Sequence, residues 1–207
     1  MIENIKWLGQ SGFRVITKSG KTIYIDPFKV VNFDLKADFI FITHSHYDHL
    51  SPEVIAKIRD DKTLVICPHD CGSKIGGRLK ITKPNDKFEI DGIKVETVPA
   101  YNLDKEYHPK ENNWVGYVLE VDGQRLYHAG DTDFIPEMKE LKDIDIAMMP
   151  VSGTYVMNPD EAVEAINAFR PKKVIPMHFG DTIGSIEDAK SLKGRVEAEI
   201  VIMEPEK

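Results

Sequence analysis

The segment Thr43-His44-Ser45-His46-Tyr47-Asp48-His49 follows directly on the apolar run Phe39-Ile40-Phe41-Ile42. The run reads as a buried strand, being short, β-branched or aromatic throughout, and closed by a polar cluster. Side chains alternate along an extended chain, so His44 and His46 point the same way, and a turn just after them folds Asp48 and His49 back toward the same point. That arrangement suits one metal ion, or two. Neutral imidazole and carboxylate are the ligand set of zinc and its neighbours, and two metals sharing a water are the usual apparatus for hydrolysing an ester or phosphoester. A lone i, i+2 histidine pair at a strand end would read more simply as solvated polar residues. Three histidines and an aspartate at this spacing reverse that reading.

Working outward, the chain before the cluster reads as an antiparallel meander. Strand-like residues 5–8 and 13–16 flank Gly9-Gln10-Ser11-Gly12, Ser19-Gly20 turns into a third strand at 22–25, and Asp26-Pro27 ends it, since proline has no N–H for a ladder. After the cluster, Ser51 caps a helix with Pro52 in its first turn and an apolar stripe of Val54, Ile55 and Ile58. Residues 64–67 then form a buried strand, so strand, helix and strand imply a parallel crossover. Residues 68–77 read as turn-rich or briefly helical, with His69 outside every motif. Strands follow at 87–90 and 93–98, joined through Asp91-Gly92, and at 115–121 and 125–129, joined through Asp122-Gly123, both strong hairpin signals.

The second hairpin delivers Gly130-Asp131. A carboxylate has two oxygens and can bridge two cations; the plainer reading of Asp131 is a solvated turn residue. Residues 134–141 look helical and 144–149 form an apolar strand. Asn158-Pro159-Asp160-Glu161 is a complete helix start, with cap, proline, early acids and a Glu three residues after the cap. A strand at 173–177 leads to His178 beside Gly180, and a helix at 185–192 and a strand at 199–203 complete the chain. Periodicity alone establishes a mixed α/β protein.

The cluster resembles the signature of the metallo-β-lactamase superfamily. Trp7-Leu8-Gly9-Gln10-Ser11-Gly12-Phe13 and Tyr24-Ile25-Asp26-Pro27-Phe28 resemble the opening of the subgroup containing ascorbate-6-phosphate lactonase and N-acylphosphatidylethanolamine phospholipase D. Tyr127-His128-Ala129-Gly130-Asp131-Thr132 resembles the segment that supplies the bridging aspartate, and Ile175-Pro176-Met177-His178-Phe179-Gly180 the one that supplies the last histidine. The resemblance implies a single domain over residues 1–207 with a four-layer αββα sandwich, two mixed sheets between outer helices.

It further implies a metal-dependent hydrolase with two divalent ions, zinc foremost and manganese, iron or nickel acceptable, and a hydroxide between them that cleaves a small-molecule phosphodiester or lactone. His44, His46 and His108 would hold one metal. Asp48, His49 and His178 would hold the other, with Asp131 between them and Asp48 also orienting the nucleophile. Asp26 reads either as a turn residue or as a carboxylate holding a ligand histidine by its other nitrogen, and His128 as a strand histidine near the site, with ligation the lesser reading. The family usually places a third histidine where this chain has Tyr101-Asn102. His108, a few residues later in the long polar loop 100–114, is expected to fold inward and take that position. Other classes on the same fold are a metal-binding module without turnover, which that departure favours, and a di-iron redox protein, which His46 disfavours because those relatives carry Glu there.

The composition narrows this further. With 207 residues, 42% hydrophobic and 29% charged, the chain fits one well-buried globular domain. No apolar run approaches the ~20 residues that cross a bilayer, and no secretory signal precedes the first strand, so a cytoplasmic protein is expected. Cys67 and Cys71, the only cysteines, are expected reduced and structural, their spacing being that of neither a zinc ribbon nor a thioredoxin-like site. A net charge of −7 without a basic run argues against nucleic acid as substrate.

Overall fold

The structure, a computed structural model, describes residues 2–181 and 183–207. By internal packing the chain divides into two compact units, one comprising the residues up to Lys83 together with Met203–Lys207, the other Pro84–Ile202. Each unit holds one mixed sheet.

The first unit contains β1 (Ile5–Gly9), β2 (Gly12–Ile16), β3 (Thr22–Ile25), β4 (Phe39–Phe41), β5 (Leu64–Pro68) and β6 (Leu79–Thr82), in that spatial order. The β1–β2–β3 meander is antiparallel, and β3 to β6 run parallel. Two helices lie along this sheet, α1 (Pro52–Ile58) and α2 (His69–Ile75). Ser51 caps α1, its side chain accepting from Val54 N–H, and Pro52 occupies the first turn. Ile55 and Ile58 are buried with Tyr24, Ile40, Ile42 and Val65 in one apolar cluster, each such side chain contributing about 1.5–3 kcal/mol by leaving water. The tail returns to this unit: Glu206 N–H donates to Trp7 O (2.8 Å), and the Arg14 guanidinium grips the Glu206 carboxylate with both terminal nitrogens.

The second unit contains β7 (Lys87–Ile90), β8 (Ile93–Pro99), β9 (Val115–Val121), β10 (Gln124–His128), β11 (Ile146–Pro150), β12 (Lys173–Met177) and β13 (Glu199–Ile200). The spatial order is β13-β12-β11-β10-β9-β8-β7, antiparallel from β7 to β10 and parallel from β10 to β13. Asp91-Gly92 and Asp122-Gly123 both have positive φ at the two turn positions, the backbone a two-residue hairpin needs. Two helices belong to this unit, α3 (Pro159–Phe169) and α4 (Ile186–Lys190). Asn158 and Glu161 form a reciprocal capping box at the start of α3, which buries Ala162, Val163, Ala165, Ile166 and Phe169.

Some elements differ from the sequence reading. Residues 134–141 do not form an α-helix; Pro136–Glu140 is a 3₁₀ turn, closed by Met138 N–H to Ile135 O and Leu141 N–H to Met138 O. Only Met138 is buried in it, too little apolar surface to hold several turns of helix. The last helix is shorter than 185–192, and the last strand pairs over Glu199–Ile200 alone. Strand β6 carries no strand signal in the sequence reading, being a half-buried edge strand of four residues without an apolar run.

Both units carry short polar residues beyond the carboxyl ends of their parallel strands, where open α/β sheets generally place their ligands. In the first unit Asp26 follows β3 and the histidine cluster follows β4. In the second, β8, β10, β11 and β12 all run in one direction, so the segments bearing His108, Asp131, Ser152 and His178 leave the sheet at the same edge.

Candidate metal centre

In the first unit the cluster after β4 turns as its spacing requires, with His49 N–H and Leu50 N–H both donating to His46 O. The His44 ring lies 4.7 Å from that of His46 and 3.9 Å from that of His49, centroid to centroid. Asp26 supports this group from beneath. It is fully buried, with a positive φ of 45°, a conformation costing a non-glycine residue about 1–2 kcal/mol. Its Oδ1 accepts from Thr43 N–H (2.8 Å), and its Oδ2 accepts from Thr43 Oγ1 (2.6 Å) and His49 Nδ1 (2.7 Å).

These bonds fix proton positions. A hydroxyl has one hydrogen, and that of Thr43 goes to Asp26. Toward His44 Nδ1, 2.9 Å away, Thr43 Oγ1 therefore accepts, so His44 carries its proton on Nδ1. His49 likewise donates from Nδ1. In the neutral form of both rings the lone pair sits on Nε2. His44 Nε2 lies 3.1 Å from His46 Nδ1, close to the ~3.3 Å edge of a tetrahedron with 2.0–2.1 Å metal–nitrogen bonds. His49 Nε2 faces Asp48 Oδ2 at 3.6 Å. One donor atom each from Asp26, His44 and His49 also fall within 4.8 Å of one another. With both oxygens of Asp26 engaged by Thr43 and His49, we read it as support for ligands.

Gln10, which no sequence motif singled out as functional, enters here. Its Nε2 donates to Asp48 Oδ2 at 2.9 Å from the β1–β2 turn, held by Trp7 Nε1 donating to Gln10 O (2.9 Å).

The second unit brings His108, Asp131 and His178 together. Asp131 Oδ2 lies 3.1 Å from His178 Nε2 and 3.5 Å from His108 Nε2, and all three residues are 1–3% exposed. The other nitrogen of each ring is engaged: His178 Nδ1 with Ser152 Oγ (2.8 Å), His108 Nδ1 with Asn102 Oδ1 (2.9 Å). His178 has a φ of 60° and so, like Asp26 and Gln10, is a non-glycine residue held in the left-handed region. His128 is buried at the end of β10, where its Nδ1 accepts from Gly130 N–H (3.2 Å) and so shapes the turn before Asp131.

The donor set fits divalent cations. As neutral rings, His49 and His108 each turn an Nε2 lone pair toward a carboxylate oxygen, His108 donating its Nδ1–H to Asn102 Oδ1. A neutral imidazole lone pair and a carboxylate oxygen at 3.5–3.6 Å are held together by a proton or a metal cation between them, and a divalent cation suits both. Imidazoles tied at the far nitrogen to a hydroxyl, carboxylate or amide are the usual form of metal-bound histidine.

Comparison with known proteins agrees with this chemistry. A family model described as the Beta-lactamase superfamily domain matches residues 4–178. A UPF0173 metal-dependent hydrolase of Thermococcus onnurineus is 33% identical, over 97% of this chain and 96% of that one. Among solved structures, a Parabacteroides distasonis protein provisionally called a metal-dependent hydrolase is 37% identical with a TM-score of 0.86, covering 98% of this chain and 93% of its own. Igni18, a metallo hydrolase of the archaeon Ignicoccus hospitalis, is 27% identical with a TM-score of 0.80, covering 98% and 95%. The chain belongs to the metallo-β-lactamase superfamily, with the UPF0173 metal-dependent hydrolases among its relatives. Its α/β fold with two mixed sheets is the sandwich class of that family.

Proposed function

We propose that this chain is a hydrolase with a dinuclear metal centre, acting on an ester bond of a small molecule, a phosphodiester or a lactone. The observation that carries the reading is the facing of imidazole Nε2 atoms and carboxylate oxygens in each unit, His49 to Asp48 and His108 and His178 to Asp131. His44, His46 and His108 would hold one cation, and Asp48, His49 and His178 the other, with Asp131 shared. We read the chain as one domain, a reading supported by the single family model that runs over residues 4–178 and so covers every residue of this ligand set. Zinc suits the donor set best, and manganese, iron and nickel accept the same ligands. Bound ions would supply a nucleophile at neutral pH, by bringing the pKa of water from 15.7 toward ~7, and would polarise the scissile bond.

The chain's own residues position these parts. Asp26 and Thr43 hold His44 and His49 by Nδ1, Ser152 holds His178, and Gln10 holds one oxygen of Asp48. With Oδ2 engaged, Oδ1 of Asp48 is the atom that would orient the attacking water and accept its proton. The preference for a lactone or phosphodiester is supported by the resemblance of residues 7–13 and 24–28 to the corresponding subgroup. Among the described residues no helix is long and apolar enough to cross a membrane, and the net charge of −7 suits a small substrate better than a polyanion. We place its work in the cytoplasm.

The test is turnover by zinc-loaded protein of bis(p-nitrophenyl) phosphate and of an aromatic lactone, beside His46→Ala and Asp48→Ala. Hydrolysis of at least one, reduced about 10²-fold or more in both variants, is the expected result. Zinc-saturated protein that turns over neither ester class would favour the metal-binding module instead.

A further inference from the structure

We infer that Asn102 is a positioning residue that dictates which nitrogen of His108 is available to a metal. The inference rests on the reading of His108 as a ligand and concerns the very position where the chain departs from the family's usual histidine.

Asn102 is 8% exposed and uses every polar atom of its side chain. Its Nδ2 donates to Asp133 Oδ1 (3.0 Å) and to Tyr155 O (3.0 Å), and its Oδ1 accepts from His108 N–H (3.0 Å) and meets His108 Nδ1 (2.9 Å). The two partners of Nδ2 are a carboxylate and a carbonyl, which only accept. The amide therefore cannot be turned end for end without setting its oxygen against two others. With the amide fixed, the atom facing the ring has no hydrogen to give. His108 must carry its proton on Nδ1, and its lone pair on Nε2 points toward Asp131.

The support beneath Asn102 is itself locked. Asp133 is 2% exposed and collects Asn102 Nδ2, Leu103 N–H (2.8 Å) and Lys105 Nζ (2.6 Å). Lys105 also reaches Glu161 at 3.9 Å and Asp104 at 3.3 Å. Burial pulls the Lys105 ammonium down, but the hydrogen bond and charge of Asp133, with Glu161, outweigh it and hold the group above the usual lysine range. The loop is then closed on itself by Asn102 N–H donating to His108 O (2.8 Å), and the His108 ring packs edge-on to Trp114. A loop exposed at Leu103 and Tyr107 thus presents one buried imidazole in one orientation and one protonation pattern.

The experiment is long-range proton–nitrogen NMR of histidine-labelled, metal-free protein at about pH 8, where model imidazoles are neutral. The His108 signals are assigned by their loss in His108→Ala. Zinc affinity is measured in parallel by competition with a chromophoric chelator. Wild type should show the Nδ1–H tautomer at His108. Asn102→Leu should lose that preference and bind zinc about 10–100-fold more weakly. Asn102→Asp keeps an acceptor for the ring and should keep the Nδ1–H tautomer where Asn102→Leu loses it, even though it sets a carboxylate oxygen against Asp133 and Tyr155 O. A merely structural Asn102 predicts that the two variants lose the tautomer alike, since both lose the donors to Asp133 and Tyr155 O. An Nε2–H tautomer in wild type, a measurement that needs no variant to fold, would overturn the inference, as would unchanged zinc affinity in Asn102→Leu. Wild type with the Nδ1–H tautomer but no zinc uptake would leave Asn102's hold on the ring standing and remove the metal centre.

Discussion

At the scale of single residues, Thr43 shows how one hydroxyl sets the chemistry of two histidines. It gives its hydrogen to Asp26 and accepts from His44, so Thr43→Val removes the partner of one candidate ligand and a donor to the carboxylate that holds another. Isothermal titration should find zinc bound about 10–100-fold more weakly in Thr43→Val and nearly unchanged in Thr43→Ser; equal affinity in Val and wild type would contradict the role. The cysteines act oppositely. Burial foremost, with the nearby Asp70 charge, pushes the Cys67 thiol up to about 12, and burial pushes Cys71 up as well. Native protein at about pH 8 should react with iodoacetamide at least ~10³-fold more slowly than an exposed thiol and become reactive only on unfolding. Candidate ligands were legible in sequence because His-x-His-x-Asp-His is dense. Their supports were not, because Asn102 meets Asp133 and Ser152 meets His178 across 31 and 26 residues, and Gln10 meets Asp48 across 38. Nothing in the local spacing of an asparagine, serine or glutamine announces such a partner.

At the scale of elements, Asp145 joins the starts of three strands. Its Oδ2 accepts from Arg125 N–H (2.8 Å) and its Oδ1 from Lys172 Nζ (2.7 Å), while its own N–H donates to Arg125 O and its carbonyl accepts from Lys173 N–H. Burial raises its pKa, but the bonds from Lys172 and Arg125 N–H outweigh that and hold it below the usual carboxylate range. A depressed folded pKa contributes stability above the unfolded value of ~3.9, lost as pH falls through the folded value. Asp145→Asn should therefore be less stable than wild type at neutral pH, with the gap closing in urea titrations as pH falls through the lowered folded value. A gap that persists there would assign the effect to geometry alone. On β10, Tyr127 is fully buried against Phe169, and its Oη reaches no hydrogen-bond partner among the described residues. Tyr127→Phe should be neutral or stabilising by up to about 2 kcal/mol, and a loss greater than ~1 kcal/mol would contradict this. Hairpins and capped helices were legible here because Asp-Gly pairs and Asn158-Pro159-Asp160-Glu161 carry their geometry locally. Strand β6 and the Pro136–Glu140 turn were not, since one is a half-buried edge strand of four residues and the other only five residues long.

At the scale of the whole molecule, sequence order alone placed the α/β class and the family, and the two mixed sheets and the match over residues 4–178 agree with it. The return of the tail was not legible, because a lone Glu206 has no pattern. Its bidentate pair with Arg14, only 6% exposed on the arginine side, should make Glu206→Gln less stable by about 2 kcal/mol in thermal unfolding. An unchanged melting temperature would show the tail to be detachable. The central claim is the proposed dinuclear centre, with His108 and Asp131 among its ligands. Elemental analysis of protein purified without chelator, for wild type beside His108→Ala and Asp131→Ala, tests it most directly. The account predicts about two metal ions per chain in wild type and about one or fewer in both variants. A wild-type value near ~1 that His108→Ala leaves unmoved would contradict it, removing His108 from the site and leaving a mononuclear protein.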